Sequence, residues 1–390
     1  MNNRKPTYKT AAKKRNANLL RRVKQKQLHA NNRMKKSSLH LPVNRKKPKY
    51  LRQPPSTWKL PAAFLFTGLL LFILAVPTLI VLPFGEEKDA AGTVVEEQQK
   101  AETVDLGASP FSVAVMRSTS ETVDNVPLEE YVARVVASEM PAEFEVEALK
   151  AQALAARTYI VNHKLYQDNS GEFDVTDTTQ HQVYKDEQQL RQTMDEDYTE
   201  HMNKVKQAVA ATKGEILTYN SAPITPAFFS TSNGYTENSE DYWQNELPYL
   251  RSVESPWDKQ SPKFLDQQVV SLKEAEEALE IDLPDDGAVA MELTRTESQR
   301  VDQLKIAGST FSGRDVRERL GLQSSDFTIE QKNDHLIFTT KGFGHGIGMS
   351  QYGANGMAKK GKTYKEIVKH YYQDVSISTV DDTAPTLVAR

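Results

Sequence analysis

The stretch LEEYVARVVASEMPAEF, residues 128–144, decides the fold, because it specifies a helix, the end of that helix and an oddity within it. Leu128, Tyr131, Val132, Val135, Val136 and Met140 recur at the i, i+3, i+4, i+7 spacing of a core-facing helical stripe. Asp124 or Asn125 is the expected cap, Pro127 falls near the first turn, and Glu129 and Glu130 stand where the helix dipole favours acids. Glu139 comes eleven residues after Leu128, which at 100° per residue leaves it only about 20° away around the axis. A carboxylate thus shares the buried stripe, just before Pro141 ends the helix. Burial disfavours the charged form, so its pKa should rise, and a carboxylic acid that keeps its proton near neutral pH can give it to a leaving oxygen.

A second helix, VEALKAQALAARTYIVNHKLY, residues 146–166, follows almost at once. Val146, Leu149, Ala153, Ala156, Ile160 and Lys164 trace its stripe, its many alanines allow close approach, and Arg157 repeats the oddity eleven residues after Val146. On the residues alone Glu139 is either a proton donor, the ion-pair partner of Arg157, or a helix-end acid that reaches water. The first two pull its pKa in opposite directions.

Outward from this pair of helices, SPFSVAVMRS (109–118) alternates like a strand, and GEILTYNSAPITPAFFSTSNGYT (214–236) supplies two strand-like runs broken by prolines and Asn233-Gly234. Residues 258–340 mix helical pieces (SLKEAEEALE, SGRDVRERLGL) with strand-like ones (AMELTR, HLIFTTK) and read as a mixed subdomain. GKTYKEIVKHYYQD is the expected last helix, and 376–390 a C-terminal tail. With no fixed-period repeat, the class is α+β over residues 110–375.

Charge divides the 390 residues sharply. Residues 1–59 hold nineteen Lys and Arg and no acid, leaving 30 bases against 52 acids downstream. Between them, Leu60 to Phe84 carries no charge and is long enough to cross about 30 Å of hydrocarbon. It reads as a transmembrane helix with the basic tail cytoplasmic, followed by an acidic linker over 85–109. The tail reads as a topology-setting segment drawn to anionic lipid, not as a specific nucleic-acid arm. Cysteine is absent, which excludes disulfides, thiol nucleophiles and thiolate metal sites.

The run from Leu128 to His163, then TQHQVY, FFSTSNGYTENSEDYW, PYLRSVESPWD and GFGHGIGMSQYGANGMAKKGKTYKEIVKHYYQDV, resembles the stage II sporulation protein D (SpoIID) family in composition and order. That resemblance implies a peptidoglycan lytic transglycosylase acting on glycan strands already stripped of their stem peptides, with the catalytic glutamate at Glu139. It implies partners as well: a SpoIIP-like amidase and endopeptidase, and a SpoIIM-like membrane protein. Some members hold zinc through cysteine and histidine near the equivalent of TQHQVY; here His181 stands without any cysteine, so neither a metal nor a cofactor is expected. Along a glycan groove the expected contacts are Arg157, Gln182, Tyr184, Ser230, Ser232, Tyr235 and His345.

Each has a blander reading. Arg157 could be structural, Ser230 to Gly234 a simple turn, His345 a loop histidine satisfied by backbone, and Trp243 and Trp257 core residues instead of sugar platforms. GFGHGIGMS lacks the third glycine of a dinucleotide fingerprint. Gly356 to Thr363 matches a P-loop formally, but the preceding SQYGANGMA looks helical where a buried strand is required. A hydrolase would need a second carboxylate such as Asp177, Glu237 or Asp241. A non-catalytic glycan-binding module that assists an amidase is the other alternative.

Overall fold

The computed structural model describes residues 104–388 apart from 168–170, 244 and 285–286. The basic tail, the span at 60–84 and most of the acidic linker lie outside the described residues. Within them no helix is long and apolar enough to cross a membrane.

The chain is a mixed α+β protein built round the two helices read from the sequence. β1 (Ser112–Arg117) and β2 (Thr122–Pro127) form an antiparallel hairpin whose register runs to Ser112↔Pro127, and β3 (Val175–Thr176) joins β1 in parallel. α1 (Leu128–Glu139) starts directly from that ladder. Asp124 and Asn125 are therefore strand residues and not caps. Pro127 precedes the helix without a side-chain cap, and the Leu128 N–H is taken by the Phe111 carbonyl at 3.0 Å.

α2 (Val146–Tyr166) is the centre of the fold, packed by α1, by α4 (Tyr198–Ala210), by β4 (Glu215–Tyr219) and by two C-terminal helices. Ala151, Ala153, Ala155 and Ala156 are fully buried, so the small side chains let neighbours close in from several sides. A helix buried all round needs no polar face. α3 (Glu187–Met194), capped reciprocally by Asp186 and Gln189, and α4 are helices the apolar periodicity did not announce.

After β5 (Ala222–Pro223), β6 (Phe228–Phe229), α5 (Ser239–Trp243) and a 3₁₀ turn at Pro256–Gln260, the chain builds a second core from residues 270–338. It contains β7 (Leu265–Ser271), α6 (Leu272–Leu279), β8 (Met291–Arg295), β9 (Val301–Ile306), β10 (Ser309–Ser312), α7 (Gly313–Leu320), β11 (Phe327–Lys332) and β12 (His335–Lys341). These form two three-stranded antiparallel sheets, ordered β10-β9-β8 and β11-β12-β7.

The return to the main core runs through the glycine loop into β13 (Met349–Ser350), which pairs in parallel with β6, then α8 (Gln351–Lys359) and α9 (Tyr364–Tyr371). The P-loop match dissolves here. Gly356 lies inside α8 against Trp257, and Thr363 caps α9 through a capping box with Glu366. Residues 376–388 are not a tail: β14 (Ser376–Thr379) pairs with β4, and α10 (Val380–Thr383) and α11 (Pro385–Val388) place Val380, Ala384 and Leu387 in a small core with Val161 and Ile216. The linker also ends earlier than expected, because Leu106 is buried in the main core.

Gly342, Gly344, Gly346 and Gly348 all have positive φ, between 75° and 113°. At Gly348 a Cβ would lie 2.1 Å from the Ala227 carbonyl oxygen. Gly348→Ala should therefore cost about 2–3 kcal/mol, combining left-handed strain with a backbone clash. A thermal melt checks this; an unchanged midpoint would show that the loop relaxes freely.

Candidate active site

Glu139 ends α1 because Met140 turns extended ahead of Pro141. Its half-buried carboxyl faces a cavity of about 350 Å³, whose other walls include Tyr159, Gln182, Phe228, Trp243 and His345. Among the described lining residues Glu139 is the one carboxylate. Oε1 accepts the Val183 backbone N–H at 3.0 Å, and the Gln351 side chain, at the start of α8, bonds the same carboxyl. Burial pushes its pKa above the ordinary glutamate value, and the two hydrogen bonds partly oppose the rise. Burial thus favours the protonated group, while the two hydrogen bonds support its ionised form.

Gln182 reaches the cavity beside it. Its Oε1 accepts from the Tyr131 hydroxyl at 3.1 Å, while Nε2 has no hydrogen-bond partner among the described residues, although the residue is only 2% exposed. An unpaired buried donor costs about 1–3 kcal/mol, so an acceptor brought into the cavity would be welcome there. His181 lines the same wall, its Nδ1 2.9 Å from Thr176 Oγ1 and its ring edge-on to His163 at 5.3 Å. No group of three His, Asp or Glu among the described residues converges to hold a metal ion.

His345 is carried in by the glycine loop. Its Nδ1 accepts the Ile347 N–H at 3.0 Å and the ring also bonds the Phe228 backbone. Phe229, Trp243 and Tyr242 surround it at 5.6 to 6.0 Å between ring centres. That burial, assisted by the nearby Arg317 charge, pushes its pKa down to about 4. At neutral pH the imidazole is uncharged and both nitrogens are engaged, so it serves as a cavity wall and not as a spare acid.

The remaining expected contacts lie elsewhere. Arg157 is fully buried and pairs with Glu129, at 2.6 Å, not with Glu139; its guanidinium also donates to the Glu215 carbonyl at 3.0 Å. At 1.5 Å per residue, Arg157 stands about 16 Å along α2, and Glu129 about 15 Å back along α1 from Glu139. A short connection folds the helices back on each other, so the two meet at one level. Tyr184 is buried under Tyr131, with Arg134 donating to its hydroxyl at 2.7 Å.

Ser232 is fully buried, giving both its hydroxyl (2.8 Å) and its N–H (3.0 Å) to Asp258, which Ser255 and Ser350 also bind. This buried cage ties three loops together. Ser230 contributes its carbonyl to the Tyr352 N–H, and Tyr235 is 42% exposed, bridged through its backbone to Glu254; neither lines the Glu139 cavity. Of the possible second carboxylates, Asp177 is held by Arg117 at 3.2 Å, and Glu237 and Asp241 line a different cavity. Trp243 does reach the Glu139 cavity, whereas Trp257 packs on Gly356 and His370.

Sequence reasoning missed Gln351 and the Val183 N–H. A backbone donor leaves no residue-type signal, and Gln351 is marked only by following Ser350, the cap of α8.

The geometry defines a class: an α+β protein with one protonatable acid at a helix end, set in an aromatic-walled cavity. The family model for the stage II sporulation protein matches residues 116–219, which include Glu139 and Gln182. The chain is 48% identical over 344 residues to stage II sporulation protein D of Bacillus amyloliquefaciens, covering 85% of this chain and 99% of that protein. It is 49% identical over 322 residues to the Bacillus subtilis (strain 168) protein of the same name, covering 79% and 93%. A third relative, the amidase enhancer of Bacillus subtilis (strain 168), is 30% identical over 299 residues, 63% of this chain and 40% of that protein. The chain belongs to the stage II sporulation protein D family.

Proposed function

We propose that this protein is a lytic transglycosylase that cuts peptide-stripped peptidoglycan strands during sporulation, from the outer side of a membrane in which residues 60–84 anchor it. The observation that carries the reading is the one carboxylate among the described residues of the cavity, its pKa raised by burial and its oxygens hydrogen-bonded as a carboxylate would require. Glu139 gives its proton to the glycosidic oxygen between MurNAc and GlcNAc as the bond from that oxygen to C1 breaks. The resulting carboxylate takes the proton of the MurNAc C6 hydroxyl, whose oxygen bonds to C1 and closes a 1,6-anhydro ring. Protons and bonds balance without water, so one carboxylate suffices where hydrolases use two.

Mass spectrometry of peptide-free strands digested by the full chain tests this. Anhydro ends are expected; reducing ends would replace the reading by hydrolysis. The name of the amidase enhancer relative favours a second reading, a non-catalytic glycan-binding module that positions an amidase. Strand binding without any product would support that one. In either case partners of the SpoIIP and SpoIIM kinds fit a strand that must lose its peptides first.

Gln182 supplies a separate test. Gln182→Met keeps the volume and removes the free donor, so KM for the strands should rise about 5- to 10-fold with kcat nearly unchanged, the signature of a hydrogen bond worth roughly 1 kcal/mol made equally in ground and transition states. A KM within twofold of the parent would show that the amide makes no bond to the strand.

A further inference from the structure

A second cavity, of about 510 Å³, lies between α5 of the main core and α7 of the second core. Trp243 is a wall of this cavity and of the Glu139 cavity alike, so the two spaces adjoin across one indole. The second core fixes the far side: Arg314 donates to the Tyr242 carbonyl at 3.2 Å and stands 4.7 Å over its ring, and Arg317 reaches the Tyr242 hydroxyl at 3.2 Å. Its volume is that of a pocket for a small ligand or a few sugar rings.

The lining chemistry is unlike that of the first cavity. Six carboxylates face two guanidinium groups. Arg314 already pairs with Glu318 at 2.9 Å, and Arg300, 2% exposed, bonds Ser298 and the Tyr235 carbonyl. Among the described residues Asp241 and Asp302, both exposed, accept from one neutral donor each, Asn238 Nδ2 at 3.1 Å and Thr294 Oγ1 at 3.2 Å. An ionised carboxylate has about four acceptor sites, so most of theirs remain open. Glu240 pairs with Arg251 at 2.7 Å and buried Glu237 lies 3.9 Å from Arg300, so the acceptors and the negative charge that the cavity offers a ligand come chiefly from Asp241, Asp302 and Asp315, beside an aromatic wall.

We infer that this cavity is a second strand-binding subsite, taking a neutral N-acetylglucosamine ring beyond Trp243 with its hydroxyls donated to Asp241 and Asp302, and turning away rings that carry carboxylates or acidic peptides. The inference rests on the transglycosylase reading for its ligand, and sets the register of the strand, because the muramic rings of a stripped strand keep a lactyl carboxylate that this cavity turns away. Aromatic faces with hydroxyl-accepting side chains suit a sugar better than a lysine-rich peptide, which would use the charge but leave the indole without purpose.

The test uses the full chain carrying Glu139→Gln, which binds without cutting, titrated calorimetrically with neutral N-acetylglucosamine hexamer. Adding Asp241→Ala and Asp302→Ala should weaken the hexamer at least tenfold with an unchanged melting temperature, because both residues are exposed. Unchanged hexamer affinity in the double alanine variant overturns the inference, as does tight binding of tetralysine in place of the hexamer. Since binding is read without chemistry, the two proposals fail separately: loss of hexamer binding with no anhydro product from the native chain would remove the transglycosylase and leave the subsite.

Discussion

Arg157→Ala is expected to destabilise the protein by about 3–5 kcal/mol, the cost of leaving a buried charge without its partner. Glu129 is fully buried, and three of its four short contacts come from the Arg157 guanidinium, at 2.6 to 3.2 Å; the fourth is the Gly214 N–H at 3.2 Å. Domains are typically stable by only about 5–15 kcal/mol, so the loss would be a large share of the whole. Arg157→Lys should recover little, because an ammonium cannot reproduce the forked contact or reach the Glu215 carbonyl at the same time. Glu129→Leu with Arg157→Met should recover most of it, since apolar pairs of similar volume replace buried ion pairs at small net cost. Urea unfolding followed by circular dichroism measures all three. If Arg157→Ala lost under 1 kcal/mol while KM for strands rose sharply, Arg157 would be a strand contact after all, reached by a rearrangement of α2.

The same pair shows where the sequence was legible. Periodicity located both helices and marked Arg157 as a polar group on a buried stripe, whereas Glu139, marked in the same way, is half-buried at the helix end. It could not say which acid Arg157 meets, because angle around an axis is only half of the geometry; height along it decides the partner. Counting rise as well as rotation would have pointed to Glu129, a first-turn acid otherwise explained by the helix dipole. Ser232 failed for a different reason. A serine before Asn-Gly reads as a turn or a surface donor, and only the folded chain brings Asp258, Ser255 and Ser350 to it. The aromatic wall around His345 likewise unites residues 228–229, 242–243 and 345, and nothing local records that meeting. Short C-terminal elements were hidden because Val380, Ala384 and Leu387 make too brief a stripe to stand out from a polar tail.

Glu139→Gln should lower the rate on peptide-free strands by about 10² to 10⁴, the usual worth of general acid and base assistance, with binding retained. The amide keeps an oxygen for the Val183 N–H, so the cavity should hold its shape. Stability gives an internal control whose sign is fixed by the pKa shift. A carboxyl with a raised folded pKa binds more protons folded than unfolded, so its ionisation lowers stability as pH climbs from the ordinary glutamate value to the raised one. The amide does not ionise and escapes that loss. Glu139→Gln should therefore match the native chain in acid and melt at the same or a higher temperature at neutral pH, while the native rate falls on the alkaline side as Glu139 loses its proton and the residual rate of the variant lacks that limb. Inactivity joined to a lower melting point would trace the defect to folding, and a rate within tenfold of native would move the chemistry to another group. A dead enzyme that is no less stable, and has lost one limb of its pH profile, is the combination that only a buried working acid produces.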